Sequence, residues 1–212
     1  MKNDNLLYEL RTYFANPGML DRLVSRFENH TFRFFAKHDM QVIGLWLPLN
    51  NPENKLVYVL SFADQEACAK SWDEFKNDAE WLAVKQESIR EGELVASLKS
   101  VFMHTLDFSP EHLTFAENHV FELQIYKNTP GNRELLRLLF NKHNMTLFQK
   151  HGIGTIQYWE TSKQEVDKSN LLICLLVRSQ EDIKKADEPA KDFLSGFIKS
   201  EYLRAVSFSP LK

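Results

Sequence analysis

His30 and His143 are the side chains whose type and setting first suggest chemistry. Each stands three residues beyond a phenylalanine, Phe27 or Phe140, in a segment whose apolar residues recur at helical spacing. That puts an imidazole on the flank of an apolar stripe, at the edge of the crevice between a helix and the surface it packs on. A neutral imidazole there can accept a proton or ligate haem iron. It can equally be a rim residue hydrogen-bonded to backbone. We take His30 and His143 as the candidate catalytic residues, and Phe27, Phe34, Trp46 and Trp159 as candidate ligand-binding walls. Large aromatics fill cores as readily as they floor pockets, so both readings of the four stand.

The other polar groups read more simply. His38 and His151 close the same helices, where a cation suits the negative end of the dipole. Glu9 and Tyr13 share a strand face, as do Glu122 and Tyr126. We assign that face to the side away from the helices, which separates Glu9 from His30 and leaves it to pair with Arg11 or with a facing sheet. No G-x-S-x-G, H-E-x-x-H or phosphate-binding glycine loop is present. Met19, Met40, Met103 and Met145 share no spacing that would build a metal or haem site. No metal and no cofactor is assigned.

These residues come in pairs because the chain repeats itself. Shifted by 113 residues, Tyr8–Trp46 falls on Phe121–Trp159 without a gap, and 13 of the 39 positions are identical. Both halves end on Phe-Ser-Pro, at 108–110 and 208–210. Each copy opens on an alternating strand, Tyr8–Phe14 or Phe121–Tyr126. Asn16-Pro17 and Thr129-Pro130 follow, read as a helix cap with proline at the first helical position. The first helix then carries Leu20, Leu23, Val24, Phe27, Thr31, Phe34 and Phe35 on one stripe and ends at Lys37-His38. Two strands follow near Val42–Leu47 and Leu56–Phe62, matched to Thr155–Trp159 and Leu171–Val177. The later strand of each pair is apolar on both faces, so something must cover the side away from the helices. A second helix begins after Asp64, broken by Asn77-Asp78, and a last strand lies near Val101–Leu106 or Leu203–Val206. The expected fold is α+β, as two tandem ferredoxin-like β-α-β-β-α-β repeats over 1–110 and 117–212 that form a dimeric α+β barrel arrangement.

Composition sets the class of partner. With 26 Lys and Arg against 29 Asp and Glu, the net charge of -3 offers nothing to nucleic acid or an anionic membrane. Cys68 and Cys174 stand alone in apolar surroundings and read as buried free thiols. No leader or bilayer-length apolar run is seen, so a cytoplasmic location is expected.

The segments YELRTY (8–13), Pro17-Gly18, His30, FAKHDM (35–40), VIGLW (42–46), LVYVLSF (56–62), AEW (79–81) and DFSP (107–110) resemble the NIPSNAP family, in the dimeric α+β barrel group. One departure is Asp39, where the family pattern favours the glycine that the second copy keeps at Gly152. The resemblance implies ferredoxin-like units packed sheet to sheet and a homodimer or larger homo-oligomer. It carries no general reaction. Other branches of the barrel group include cofactor-free monooxygenases, isomerases and haem enzymes, which leaves the chemistry open. The expected activity is binding of a small, mainly apolar molecule between the first helix and the sheet, with proton-transfer or cofactor-free oxygenase chemistry. The alternative is a non-enzymatic interaction protein whose barrel is packed solid. An inter-sheet surface built partly from Val57, Val59, Leu172 and Cys174 is also expected.

Overall fold

Strand β3 (Lys55–Phe62) is buried at every position, and the sheet of the first half is built around it. Its apolar residues leave neither face fit for water. In the computed structural model, which describes residues 6–106, 109, 119–127, 154–161, 171–179 and 197–211, β3 lies antiparallel between β1 (Leu7–Ala15) and β2 (Gln41–Pro48). Between β1 and β2 come α1 (Leu20–Arg26), a π-helical turn (Phe27–Thr31) and α2 (Phe32–Lys37). After β3 come α3 (Gln65–Asn77), α4 (Ala79–Ser88) and β4 (Val95–Thr105). The second half contributes β5 (His119–Lys127), β6 (Gly154–Thr161), β7 (Leu171–Ser179) and β8 (Phe197–Ala205). The protein is thus a mixed α+β chain. Among the described residues no helix is long and apolar enough to cross a membrane.

The chain divides into two compact units. The first holds Asn5–Phe102 and Ala205–Leu211, with sheet order β4-β1-β3-β2. The second holds Met103–Arg204, in the order β8-β5-β7-β6. Each unit takes a strand end from the other half of the sequence. In the second, Met103–Thr105 pair with Thr161–Trp159 of β6, and Ser109 Oγ accepts from Tyr158 N at 2.8 Å. In the first, Val206 N donates to Leu45 O and Ser209 Oγ accepts from Leu45 N at 3.0 Å. Ser109 and Ser209 therefore do the same work, because a buried strand amide needs an acceptor.

The pairings of the two units correspond. Glu9 lies opposite Leu60 and Glu122 opposite Leu176, while Trp46 lies opposite Val57 and Trp159 opposite Ile173. The register breaks once between Val42 and Gly44, and again between Thr155 and Gln157. These pairs match Leu56 of β3 with Leu172 of β7, one residue from the sequence match. A one-residue slip exchanges the faces. Leu172 and Cys174 accordingly stand opposite Tyr126 and Gln124, on the Glu122–Tyr126 face. Ile173 and Leu175 are the counterparts of Val57 and Val59.

Helices cover one face of the first sheet. Leu23, Phe27, Phe34 and Phe35 pack on Leu45, Leu56, Tyr58 and Leu60. The first helix starts at Leu20, later than its proline suggests. Asn16 does not cap it: its side-chain nitrogen donates to Glu93 O at 2.6 Å, and Gly18, at φ +76°, carries the chain through a turn. Asp39 takes φ +56°, the left-handed conformation that glycine adopts most readily. Asp64 caps α3 through Ala67 N, and Asp78 caps α4 through Glu80 N and Trp81 N. Strands β4 and β8 both begin earlier than expected. Residues 96–99 of β4 are exposed, so no apolar alternation announces its start.

Candidate functional site

The first strand of each half presents a buried carboxylate. Glu9 is 1% exposed and accepts from Arg11 Nη1 at 2.6 Å, Trp72 Nε1 at 2.8 Å and Ser100 Oγ at 2.5 Å. Arg11 stacks on the Trp72 ring at 4.3 Å. Tyr13 meets Phe27 edge-on at 6.0 Å and Tyr58 at 5.4 Å. Glu9, Arg11 and Tyr13 therefore face the helices, and the opposite assignment made from the sequence is corrected. The reason is that β1 borders apolar neighbours on both faces, so hydropathy alone does not mark the helix side. The pairing of Glu9 with Arg11 stands. In the second half Glu122, also buried, accepts from Gln124 Nε2 at 2.8 Å and Ser200 Oγ at 2.5 Å, and Tyr126 donates to Gln124 at 2.7 Å. A carboxylate so fully supplied with donors is fixed in place and suits structure better than proton exchange.

His30 is placed differently. It sits in the π-helical turn, where Phe32 N reaches back to Phe27 O, and its side chain is exposed. Such turns recur at functional sites. His30 borders a cleft of about 600 Å³ that opens between α1 and α4. Asp21, Arg22, Ser25 and Arg26 line the α1 side, and Ala83, Val84, Glu87 and Ser88 the α4 side, with Leu94 completing the wall. Arg22 is held by Glu91 at 2.6 Å and by Ser88 O at 3.3 Å. Arg26 donates from Nη1 to Ser88 Oγ at 3.1 Å, and its guanidinium lies 5.5 Å from the Trp81 ring centre.

The other candidates lie elsewhere. Phe27 and Phe34 are buried between helix and sheet, Phe34 edge-on to Trp81 at 5.6 Å, and they fill the space where a ligand was expected. Trp46 and Trp159 are each 1% exposed. Trp46 lies on the face of β2 away from the helices. His143 lies outside the described residues. The structure thus brings His30 to a cleft, but not together with Phe27, Phe34 or Trp46. The arginines and Ser88 were missed. The available signal was the i, i+4, i+8 spacing of Arg22, Arg26 and His30, which places all three on one flank of the helix. His38 does more than close its helix: Nε2 lies 2.8 Å from Asp78 Oδ2. Both cysteines are free and buried, and burial pushes the Cys68 thiol up to about 12. Among the described residues no three His, Cys, Asp or Glu stand close enough to hold a metal ion.

Comparison with known proteins sets this geometry in context. The NIPSNAP family model matches residues 8–110. A NIPSNAP domain protein from Burkholderia xenovorans, itself uncharacterised, is 19% identical and covers 50% of this chain and 99% of its own, with TM-score 0.44. Two solved structures align over nearly the whole chain. A proposed monooxygenase from Lactobacillus acidophilus is 10% identical over 95% of this chain and 94% of its own, with TM-score 0.62. Another from Fusobacterium nucleatum is 15% identical over 97% and 94%, with TM-score 0.59. At those identities the likeness is one of fold. No curated protein matches the chain.

Proposed function

We propose, on the premise that residues 8–110 are a NIPSNAP family domain, that this chain binds a small molecule in the cleft between α1 and α4 with His30 as its proton-accepting contact. The observation that carries the reading is the cleft of about 600 Å³ that reaches His30, a volume in the range of small-molecule sites. The small, mainly apolar molecule expected from the sequence suits this cleft, whose lining is mostly apolar surface, Ala83, Val84 and Leu94 among it, with Asp21, Arg22, Arg26, Glu87 and Ser88 as its polar points. An exposed imidazole can take a proton from a bound acid and return it to water. Loss of that proton would also be the first step of cofactor-free oxygenation of an activated substrate. The names of the whole-chain neighbours agree with such chemistry without assigning it.

The architecture we propose is two tandem ferredoxin-like repeats, over 1–110 and 117–212, as a dimeric α+β barrel arrangement. The matching registers and the matching bulges of the two units support it. A second reading, an interaction protein without a ligand, is favoured by the burial of Phe27, Phe34, Trp46 and Trp159.

The test is a pair of variants, His30→Ala and His143→Ala, in a thermal-shift screen against small-molecule fragments. We expect fragments that stabilise the native protein to lose their effect in His30→Ala and to keep it in His143→Ala. Equal behaviour of the two variants, with no fragment effect in the native protein, would favour the interaction protein.

A further inference from the structure

We infer that the cleft recognises a singly charged carboxylate on a short apolar chain, with Arg26 as the anchor of the charge. This rests on the reading of the cleft as a ligand site and names what that site takes. The observation behind it is that Arg26 is a partly buried cation without an ion-pair partner among the described residues. Its Nε is buried with no hydrogen-bond acceptor, and its side chain donates only to Ser88 Oγ. Other arginines of the same unit are matched: Arg11 by Glu9, Arg22 by Glu91 and Arg90 by Glu87. Burial works against the charge of Arg26, and Glu93, beyond ion-pair distance, offsets part of that. A guanidinium short of an acceptor beside an open cleft is suited to a carboxylate, which it can meet with two parallel N–H groups.

The arrangement also has an energetic side: a cation left unmatched in a partly buried place costs stability, and a carboxylate seated against the guanidinium offsets that cost.

The surroundings select among anions. Arg22 is already neutralised by Glu91, so Arg26 is left to neutralise about one negative charge. Asp21 and Glu87 border the same cleft and repel a second one. Ala83, Val84 and Leu94 offer an apolar wall to a short chain attached to the carboxylate.

Amide chemical shifts of the full chain, titrated separately with hexanoate, 1-hexanol and inorganic phosphate, test this. Hexanoate should shift the resonances of Ala83–Ser88 saturably and bind roughly tenfold more tightly than 1-hexanol, the size of one charge-assisted hydrogen bond. Phosphate should bind more weakly than hexanoate. The Arg26→Leu variant should be at least as stable as the native protein and lose the preference for hexanoate while still taking 1-hexanol. Equal affinity for hexanoate and 1-hexanol in the native protein would overturn the anion anchor and leave the ligand site standing. Phosphate binding more tightly than hexanoate would overturn the choice of a single charge. No shift of those resonances by any of the three would overturn both the anchor and the site.

Discussion

Asp78 shows how one side chain joins two elements. Its Oδ1 caps α4 through Glu80 N and Trp81 N, while Oδ2 meets Lys37 at 2.7 Å and His38 at 2.8 Å at the end of α2. The Lys37 hydrogen bond, then the Trp81 amide and the His38 ring, hold its carboxyl well below the usual carboxylate range. A carboxyl whose folded pKa is depressed stabilises the protein above its unfolded pKa, about 4, and that contribution is lost as pH falls below it. Melting temperature should therefore drop as pH is taken from about 5 toward 2.5. Asp78→Asn keeps a capping side chain without the charge, so its profile should be flatter. A native profile no steeper than that of the variant would remove Asp78 from this role. Much of this was legible: Asn77-Asp78 marked the break, and Lys37-His38 the helix end. The Asp78–His38 contact was not, because it joins residues 40 apart. Arg26 was missed for a related reason. A cation on a helix flank reads as solvent-facing until the neighbouring helix is known.

At the scale of elements, periodicity located strands and helices well and their faces poorly. The stripe Leu23, Phe27, Thr31, Phe34 and Phe35 is buried as read from the sequence. The π-helical turn inside it has no marker in hydropathy, yet it carries His30. Strand β7 is apolar at residue after residue, so nothing in its pattern fixes the register, and the match to β3 slipped by one. Gly44 gives this scale its prediction. A Cβ there would lie 2.2 Å from Trp46 Cζ2 and 2.3 Å from Cη2, and Trp46 is buried with no room to move. Gly44→Ala should cost about 1–3 kcal/mol, as overpacked cores do. Chemical denaturation should show a lower midpoint at unchanged slope. A midpoint equal to that of the native protein would mean that the indole does not rest on this glycine.

At the scale of the whole molecule, the sequence suggests an assembly. Residues 96–99 of β4 are exposed, and Leu98, 49% exposed, is apolar surface that a second copy would cover. Light scattering at micromolar concentration should give a mass above the 24.8 kDa of one chain. A mass that holds at one chain on concentration would show that the protein works as a monomer. The family and the α+β class were readable because the motifs are local and repeated. The cleft was not, since it needs α4, whose sequence has no clear counterpart in the second half. The most direct test of the account is to map fragment binding on the native protein by amide chemical shifts. Shifts concentrated on Ser25–His30 and Ala83–Ser88 are the predicted result. Saturable shifts that fall elsewhere and leave both segments unmoved would contradict it.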